Sequence, residues 1–232
     1  MPKKAAPRKR AAISRRKKVA SAAERIPEIL KRLKRAYPDA KCALDHENPY
    51  QLLAATILSA QCTDARVNMV TPVLFKAYPT PAKLAQARQP DVEEIIKSTG
   101  FFRNKAKSLI GMAQAVVADH GGQIPRTMEE LHALPGVGRK TANVVLGNAY
   151  GINAGITVDT HVTRLSNLLG LTAHKDAVKI EHDLMPLVPQ KDWTIISHLL
   201  ILHGRAICIA NRPKCGECVL NDLCPSANLT AG

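Results

Sequence analysis

Aromatic residues are scarce in this sequence. Phe, Trp and Tyr make up 3% of the 232 residues, whereas 46% of the residues are hydrophobic. Ala, Leu, Ile and Val therefore carry the core, and these side chains suit packed helices better than a sheet, which relies on aromatic and β-branched residues. The composition indicates a helical protein, long enough for one large domain or two small ones.

Long apolar runs are absent as well. No stretch reaches the ~18 residues that a membrane-spanning helix needs, and the N-terminus lacks the apolar core of a secretory signal. We therefore expect no membrane partner. The six cysteines then favour a metal site in a reducing compartment over an extracellular disulfide framework. The Arg-, Lys- and Ala-rich N-terminus leaves an organelle presequence open.

Acidic residues are missing from the N-terminus. Residues 1–18 contain nine Lys or Arg and no Asp or Glu, and without them the net charge of +14 falls to +5. We interpret residues 1–20 as a disordered basic arm. This charge favours nucleic acid as the partner, with a solubilising tail as the alternative.

Helical periodicity dominates the remaining sequence. Apolar residues recur at a spacing of three and four between Ile26 and Tyr37, and about eleven helices are predicted in all. Residues 155–158 are too few to found a sheet, so the predicted fold class is all-α. In the C-terminal half the predicted helices cover residues 139–150, 159–170, 174–185 and 192–210.

A turn with two glycines joins two predicted helices at LPGVG, residues 134–138. The glycines allow a tight hairpin with exposed backbone N–H groups, and the next helix points its positive end the same way. This arrangement can hold a phosphate oxygen without reading a base edge. We predict that Gly136, Val137, Gly138 and Arg139 bind DNA; an ordinary helix–helix turn is the alternative.

Lys140 lies in the first turn after this hairpin. The helix dipole and the neighbouring Arg139 disfavour a charged ammonium there, and partial burial would act in the same direction. Because only a neutral amine is a nucleophile, Lys140 is a candidate catalytic residue. The alternative is a surface lysine that contacts phosphate.

Asp159 stands in VDTHVTR, residues 158–164, just before a predicted helix. Asp is a favoured N-cap residue, and capping fixes the side chain in place. A fixed carboxylate can stabilise positive charge on the anomeric carbon of a sugar, or relay the proton of a lysine ammonium. We predict that Asp159 caps the helix and is also catalytic.

Four cysteines lie within seventeen residues, at Cys208, Cys215, Cys218 and Cys224. Thiolates this close in sequence can converge on one metal centre. Structural zinc sites usually use two close pairs, whereas only Cys215 and Cys218 form such a pair here. The spacing therefore favours an iron–sulfur centre, with zinc as the alternative.

The order of these motifs resembles the endonuclease III family of the helix-hairpin-helix glycosylase superfamily. LPGVGRKTA is followed about twenty residues later by VDTHVTR and then by the four-cysteine loop. The resemblance implies that Lys140 attacks C1′ of a damaged nucleotide, expels the base and forms a Schiff base. It also implies that Asp159 supports this chemistry, and that the four cysteines hold a [4Fe–4S] cluster.

Two more segments resemble parts of the family that act when a base leaves the duplex. Gln61 lies in LSAQCTD, residues 58–64, and matches a Gln that fills the vacated space. Phe101 lies in GFFRNK, residues 100–105, where the bacterial family commonly has Leu, so an apolar wedge is kept. Alternatively, Gln61 only ends a helix, and Phe101 or Phe102 anchors the loop; we expect one phenylalanine in each role.

The resemblance implies two helical domains that flank a DNA-binding cleft. A six-helix barrel domain with the hairpin would cover residues 42–153, and an iron–sulfur domain would combine residues 21–41 and 154–227. The implied protein is a monomeric, bifunctional glycosylase and abasic-site lyase. It would excise oxidised pyrimidines from duplex DNA and nick the abasic site by β-elimination, as base excision repair requires.

Two other functions remain open from the sequence. One is a monofunctional mismatch or adenine glycosylase, although such relatives generally lack a residue like Lys140. The other is a non-catalytic helix-hairpin-helix DNA-binding protein. We expect the protein in the cytoplasm or nucleoid of a bacterium, with nuclear or mitochondrial locations open for other hosts.

Overall fold

The computed structural model describes residues 17–227, and within this range it contains eleven α-helices and no strand. The all-α prediction is thus confirmed, while the first sixteen residues of the predicted basic arm lie outside the described residues. The helices are α1 (Ala22–Ala36), α2 (Pro49–Leu58), α3 (Asp64–Ala77), α4 (Pro81–Ala85), α5 (Gln89–Ile96), α6 (Phe102–His120), α7 (Met128–Ala133), α8 (Arg139–Tyr150), α9 (Thr160–Leu168), α10 (Ala177–Leu184) and α11 (Trp193–Ala206).

Local sequence fixes where many of these helices begin. The Asn48 side chain accepts a hydrogen bond from Gln51 N at 3.0 Å, and Pro49 occupies the first position of α2. Ser21 and Glu24 form a reciprocal capping box at the start of α1. These side chains satisfy N–H groups that the first turn leaves without partners.

The buried apolar residues form two clusters. The first draws its side chains from α2 to α8 and extends from Leu44 to Leu146. The second combines α1 with α9, α10 and α11, and reaches Leu220 beyond the last helix. The N-terminal helix therefore packs with the C-terminal part of the chain rather than with its sequence neighbours.

Residues 42–153, predicted to form a six-helix domain, contain seven α-helices and one short 3-10 helix, Lys97–Thr99. Two of them, α4 and α7, are only five and six residues long. Both begin at a capping threonine, Thr80 or Thr127, whose side chain accepts a hydrogen bond from the first turn. A local cap is enough to start a helix of little more than one turn, which explains the larger number.

The buried guanidinium of Arg25 connects three parts of the second cluster. It donates hydrogen bonds to Ala20 O at 2.8 Å, to Leu169 O at 2.7 Å and to Leu223 O at 2.8 Å. The start of α1, the end of α9 and the cysteine-containing loop are therefore held together. Within residues 17–227, no helix is both long and apolar enough to cross a membrane.

Candidate functional site

The predicted hairpin lies between α7 and α8 and packs against α6. Gly136 has φ of +77°, and a Cβ atom there would lie 2.6 Å from the Ser108 Cβ atom. Glycine is therefore required both for the left-handed backbone and for the close approach. The Val137 side chain is buried and its N–H donates to Leu134 O at 3.1 Å, so Val137 secures the hairpin from inside, while Gly136 and Gly138 are exposed.

Lys140 is the second residue of α8. The N-cap residue of this helix, Gly138, has no side chain to occupy the N–H groups of the first turn. These groups and the helix dipole create a positive potential where an anion can bind. Lys140 therefore projects from a helix end that is suited to a DNA phosphate.

Arg139 is bound to a carboxylate. Its Nε and Nη2 atoms lie 2.6 and 3.2 Å from the two carboxylate oxygens of Glu181, and Asn143 Nδ2 donates to the same carboxylate at 2.9 Å. The Glu181 side chain is 4% exposed. This ion pair joins the start of α8 to α10, and the hydrogen bond raises the pKa of Arg139.

Two expectations about the surroundings of Lys140 are wrong. Arg139 does not act as an uncompensated positive charge, because Glu181 neutralises it. Lys140 itself is exposed rather than partly buried.

Asp159 caps α9, as predicted. Its Oδ1 atom accepts a hydrogen bond from Val162 N at 2.8 Å, and its Oδ2 atom lies 2.9 Å from His161 Nδ1. Both carboxylate oxygens therefore have a fixed partner. Sequence reasoning assigned no chemistry to His161; its position two residues after the capping aspartate was the available signal.

Lys140 and Asp159 line the same cavity. This cavity has an empty volume of about 760 Å³ and lies where the two apolar clusters meet. Asp64 and Arg205 also line it and form an ion pair of 2.7 Å between α3 and α11. A second lysine, Lys41, is on the same wall. The sequence motifs did not place these three residues at the cavity, because each comes from a different segment.

Gln61 and Phe101 share an unusual backbone conformation. Their φ angles are +52° and +48°, and they are the only non-glycine residues with positive φ among those the structure describes. Such residues cost about 1–3 kcal/mol each and are concentrated at functional sites. Both line a groove of about 550 Å³ that also includes Gly136 of the hairpin.

The two adjacent phenylalanines have different surroundings. Phe101 is 63% exposed, whereas Phe102 is half-buried against the first apolar cluster. The Arg103 guanidinium lies 5.6 Å from the centre of the Phe102 ring. The loop is therefore anchored by Phe102, and Phe101 points away from the core.

The four cysteines Cys208, Cys215, Cys218 and Cys224 line one cavity with an empty volume of about 500 Å³. Burial raises the pKa of the Cys218 thiol to about 11 and also raises the pKa of the Cys208 and Cys224 thiols. Thiols must lose their protons to bind iron, so positively charged iron would offset the cost of burying four thiolates.

Two hydrogen-bond donors lie next to the Cys218 thiol. Leu220 N lies 3.4 Å and His203 Nε2 lies 3.2 Å from Cys218 Sγ. Tyr37 Oη lies 3.0 Å from the other ring nitrogen of His203. Burial lowers the pKa of His203 to about 4, so the ring is neutral and can donate to sulfur through Nε2. Such donors are typical of iron–sulfur sites, and these residues fit the cluster.

The sequence matches two family models. Residues 54–190 match the HhH-GPD superfamily base excision DNA repair protein, and residues 208–224 match the iron-sulfur binding domain of endonuclease III. These two segments contain the hairpin, the catalytic candidates and all four clustered cysteines. The model for the cysteine segment favours the iron–sulfur centre over zinc.

The chain is also similar to whole proteins. It is 58% identical to the endonuclease III of Synechocystis sp. over 211 residues, which cover 91% of this chain and 96% of that protein. A solved non-covalent complex of endonuclease III with DNA is 42% identical, with a TM-score of 0.84, and covers 90% of this chain and 97% of that one.

A second solved structure, a trapped covalent intermediate of endonuclease III with DNA, is 41% identical. Its TM-score is 0.84, and the match covers 90% of this chain and 98% of that one. The chain belongs to the endonuclease III family: it is a DNA glycosylase and abasic-site lyase of base excision repair that removes oxidised pyrimidines and binds a [4Fe–4S] cluster.

Proposed function

We propose that Lys140 is the nucleophile and Asp159 the catalytic carboxylate of this reaction. The observation that carries the proposal is their common cavity, which combines an amine at a helix N-terminus with a carboxylate held by two partners. A similar enzyme has been trapped as a covalent intermediate with DNA. A lysine that forms a Schiff base accounts for such an intermediate.

In the proposed reaction the neutral amine of Lys140 attacks C1′ of the damaged nucleotide. The bond between C1′ and the base breaks, and the base leaves with the electron pair and takes up a proton. The C1′–O4′ bond then breaks, O4′ takes up a proton, and the nitrogen lone pair forms the C=N bond of a protonated Schiff base. Loss of a proton from C2′ expels the 3′ oxygen and nicks the strand.

Asp159 would act at two steps of this reaction. It accepts a proton from the Lys140 ammonium, and its negative charge stabilises the positive charge that develops at C1′. The hydrogen bonds from Val162 N and His161 keep the carboxylate in place. A carboxylate that is already oriented needs no rearrangement when the charge develops.

The substrate in this proposal is double-stranded DNA with a damaged base or an abasic site. The exposed backbone of Gly136 and Gly138, with the first turn of α8, would hold one phosphate; Arg139 would orient that turn through Glu181. Gln61 would fill the space of the flipped nucleotide, and the exposed Phe101 would wedge between neighbouring bases.

The two apolar clusters support the proposed division of the chain into domains. Residues 42–153 would form the domain with the hairpin, and residues 21–41 and 154–227 would form the iron–sulfur domain. Since the catalytic pair and the hairpin come from one chain, a monomer suffices. For a bacterial host, we place the enzyme in the cytoplasm with the DNA of the nucleoid, where its substrate is found.

Covalent trapping tests the nucleophile. Borohydride reduces a Schiff base, so wild-type protein on abasic-site duplex should give a stable protein–DNA adduct, and Lys140→Gln should give none while still binding the duplex. Lys41→Gln is the matched control, because Lys41 is the other lysine on the cavity wall among residues 17–227. An adduct that persists in Lys140→Gln would overturn the assignment, and its loss in Lys41→Gln would identify Lys41 as the nucleophile instead.

A further inference from the structure

Lys105 has a buried ammonium group. The residue is 5% exposed and lies in the first turn of α6. Its Nζ atom donates hydrogen bonds to Leu58 O and to Thr99 O, both at 2.8 Å. Burial lowers the pKa of Lys105. Its partners are thus two backbone carbonyls from segments that are far apart in sequence.

Burying a charged group in the protein interior costs free energy. An ammonium loses its hydration on burial, and two neutral carbonyls replace only part of it. A methionine side chain of similar length would occupy the space without that cost. The ammonium therefore contributes something other than packing, and its two hydrogen bonds indicate what this is.

Both carbonyls stand just before a residue with positive φ. Leu58 ends α2, three residues before Gln61, and Thr99 stands two residues before Phe101. A C-terminal helix carbonyl such as that of Leu58 has no partner within its own helix. Lys105 therefore joins the segments from which Gln61 and Phe101 project.

We propose that Lys105 is a positioning residue that holds these two segments in a fixed relation, so that Gln61 and Phe101 enter the DNA together. The inference rests on the proposed roles of these two side chains in the duplex. Gln61 and Phe101 line a common groove, which Lys105 also lines, so the two side chains lie on one face of the protein. Without the ammonium, the two segments would move independently. Gln61 would then no longer fill the space of the flipped nucleotide at the same time as Phe101 wedges between the neighbouring bases.

The test compares two substrates of the cluster-loaded enzyme. Excision of an oxidised pyrimidine from duplex DNA requires base flipping, whereas β-elimination at an abasic site in single-stranded DNA does not. In Lys105→Met, duplex excision should fall ~10–100-fold, the size of effect expected when reacting groups are misplaced by about 1 Å. Single-strand cleavage should stay at the wild-type rate. Equal losses on both substrates would overturn the inference, because they indicate general disruption.

Matched variants keep the result interpretable. Lys76→Met removes an exposed ammonium from α3 and should leave both rates unchanged. Lys105→Gln removes the charge and places its amide one bond closer to the backbone, so the amide does not reach both carbonyls; this variant serves if Lys105→Met does not fold. Melting temperature and the visible absorption of the cluster establish that each variant is folded. Wild-type duplex excision in either folded Lys105 variant would contradict the inference.

A double-mutant cycle separates this inference from the proposed function. If Lys105 acts through the two side chains, Lys105→Met should have little further effect in a Gln61→Ala/Phe101→Ala enzyme, whereas independent effects would multiply and overturn the inference. If Gln61→Ala and Phe101→Ala excise from duplex DNA at the wild-type rate, their own proposed roles fail. If those two variants lose activity and Lys105→Met does not, only the role of Lys105 fails.

Discussion

Replacing Glu181 tests whether the ion pair at the start of α8 stabilises the enzyme. The carboxylate accepts three hydrogen bonds, two from Arg139 and one from Asn143, and it is almost fully buried. Glu181→Leu keeps a side chain of similar size and removes every acceptor. Arg139 and the buried Asn143 amide then lose their partner.

The expected decrease in the free energy of unfolding depends on how exposed each partner of the ion pair is. Breaking a fully buried ion pair by removing one partner costs about 3–5 kcal/mol. The Arg139 side chain is 35% exposed and can turn towards water, so part of this cost is recovered. We expect Glu181→Leu to lower the free energy of unfolding by about 2–3 kcal/mol, which corresponds to a decrease of about 4–12 °C in melting temperature for a chain of this size.

Glu181→Gln should have a smaller effect. The Asn143 Oδ1 atom is buried and has no hydrogen-bond partner among residues 17–227. It is therefore available to the new amide group, while the Gln oxygen still accepts from Arg139. We expect this variant to melt between Glu181→Leu and the wild type, because one hydrogen bond is exchanged and the charge is lost.

Thermal unfolding of the cluster-loaded protein, followed by circular dichroism, measures these effects. Glu94→Leu is the control, since the Glu94 side chain is 78% exposed and its ion pair with Lys97 is on the surface. A melting temperature of Glu181→Leu equal to that of Glu94→Leu would refute the reasoning. It would mean that the buried carboxylate contributes no more than a surface one.

Three further predictions concern the catalytic carboxylate, the cluster and pH. Asp159→Asn keeps an N-cap side chain, so the melting temperature should stay near the wild-type value while excision falls ~10²–10⁴-fold; equal excision rates would contradict the proposed role. Cys218→Ala should lose the visible absorption of the cluster and melt at a lower temperature, and a retained spectrum would exclude Cys218 as a ligand. Burial lowers the pKa of His198, so its neutral form contributes stability above pH ~6.5 that is lost as the pH falls below that value. The melting temperature of His198→Gln should therefore fall less than that of the wild type between pH 7 and pH 5. Equal decreases in the two proteins would exclude the contribution of His198 to this pH dependence.

Features encoded within a few consecutive residues were predictable from the sequence. The N-cap role of Asp159 and the turn at Gly136 follow from residue types whose backbone preferences are strong. Residues 139–150 were predicted as a helix and form α8 with the same ends. The family and the cofactor were predicted from motif order and cysteine spacing, and the comparisons confirm both.

Features that depend on distant segments were not predictable. The pairing of Arg139 with Glu181 joins residues 42 positions apart, and the ion pair of Asp64 with Arg205 joins residues 141 positions apart. In the sequence, Lys105 is one of two cations in GFFRNK, and nothing there distinguishes it from Arg103. In the structure its ammonium is buried. Periodicity identifies which side of a helix is apolar, but it does not identify which charged side chains become partners.

Identifying the amine that is joined to DNA tests the central claim most directly. The wild-type enzyme is reduced with borohydride on an abasic-site duplex, the adduct is digested, and mass spectrometry locates the modified lysine. The account predicts a deoxyribose remnant on Lys140. A remnant on Lys41, which lines the same cavity, or on any other amine would contradict it.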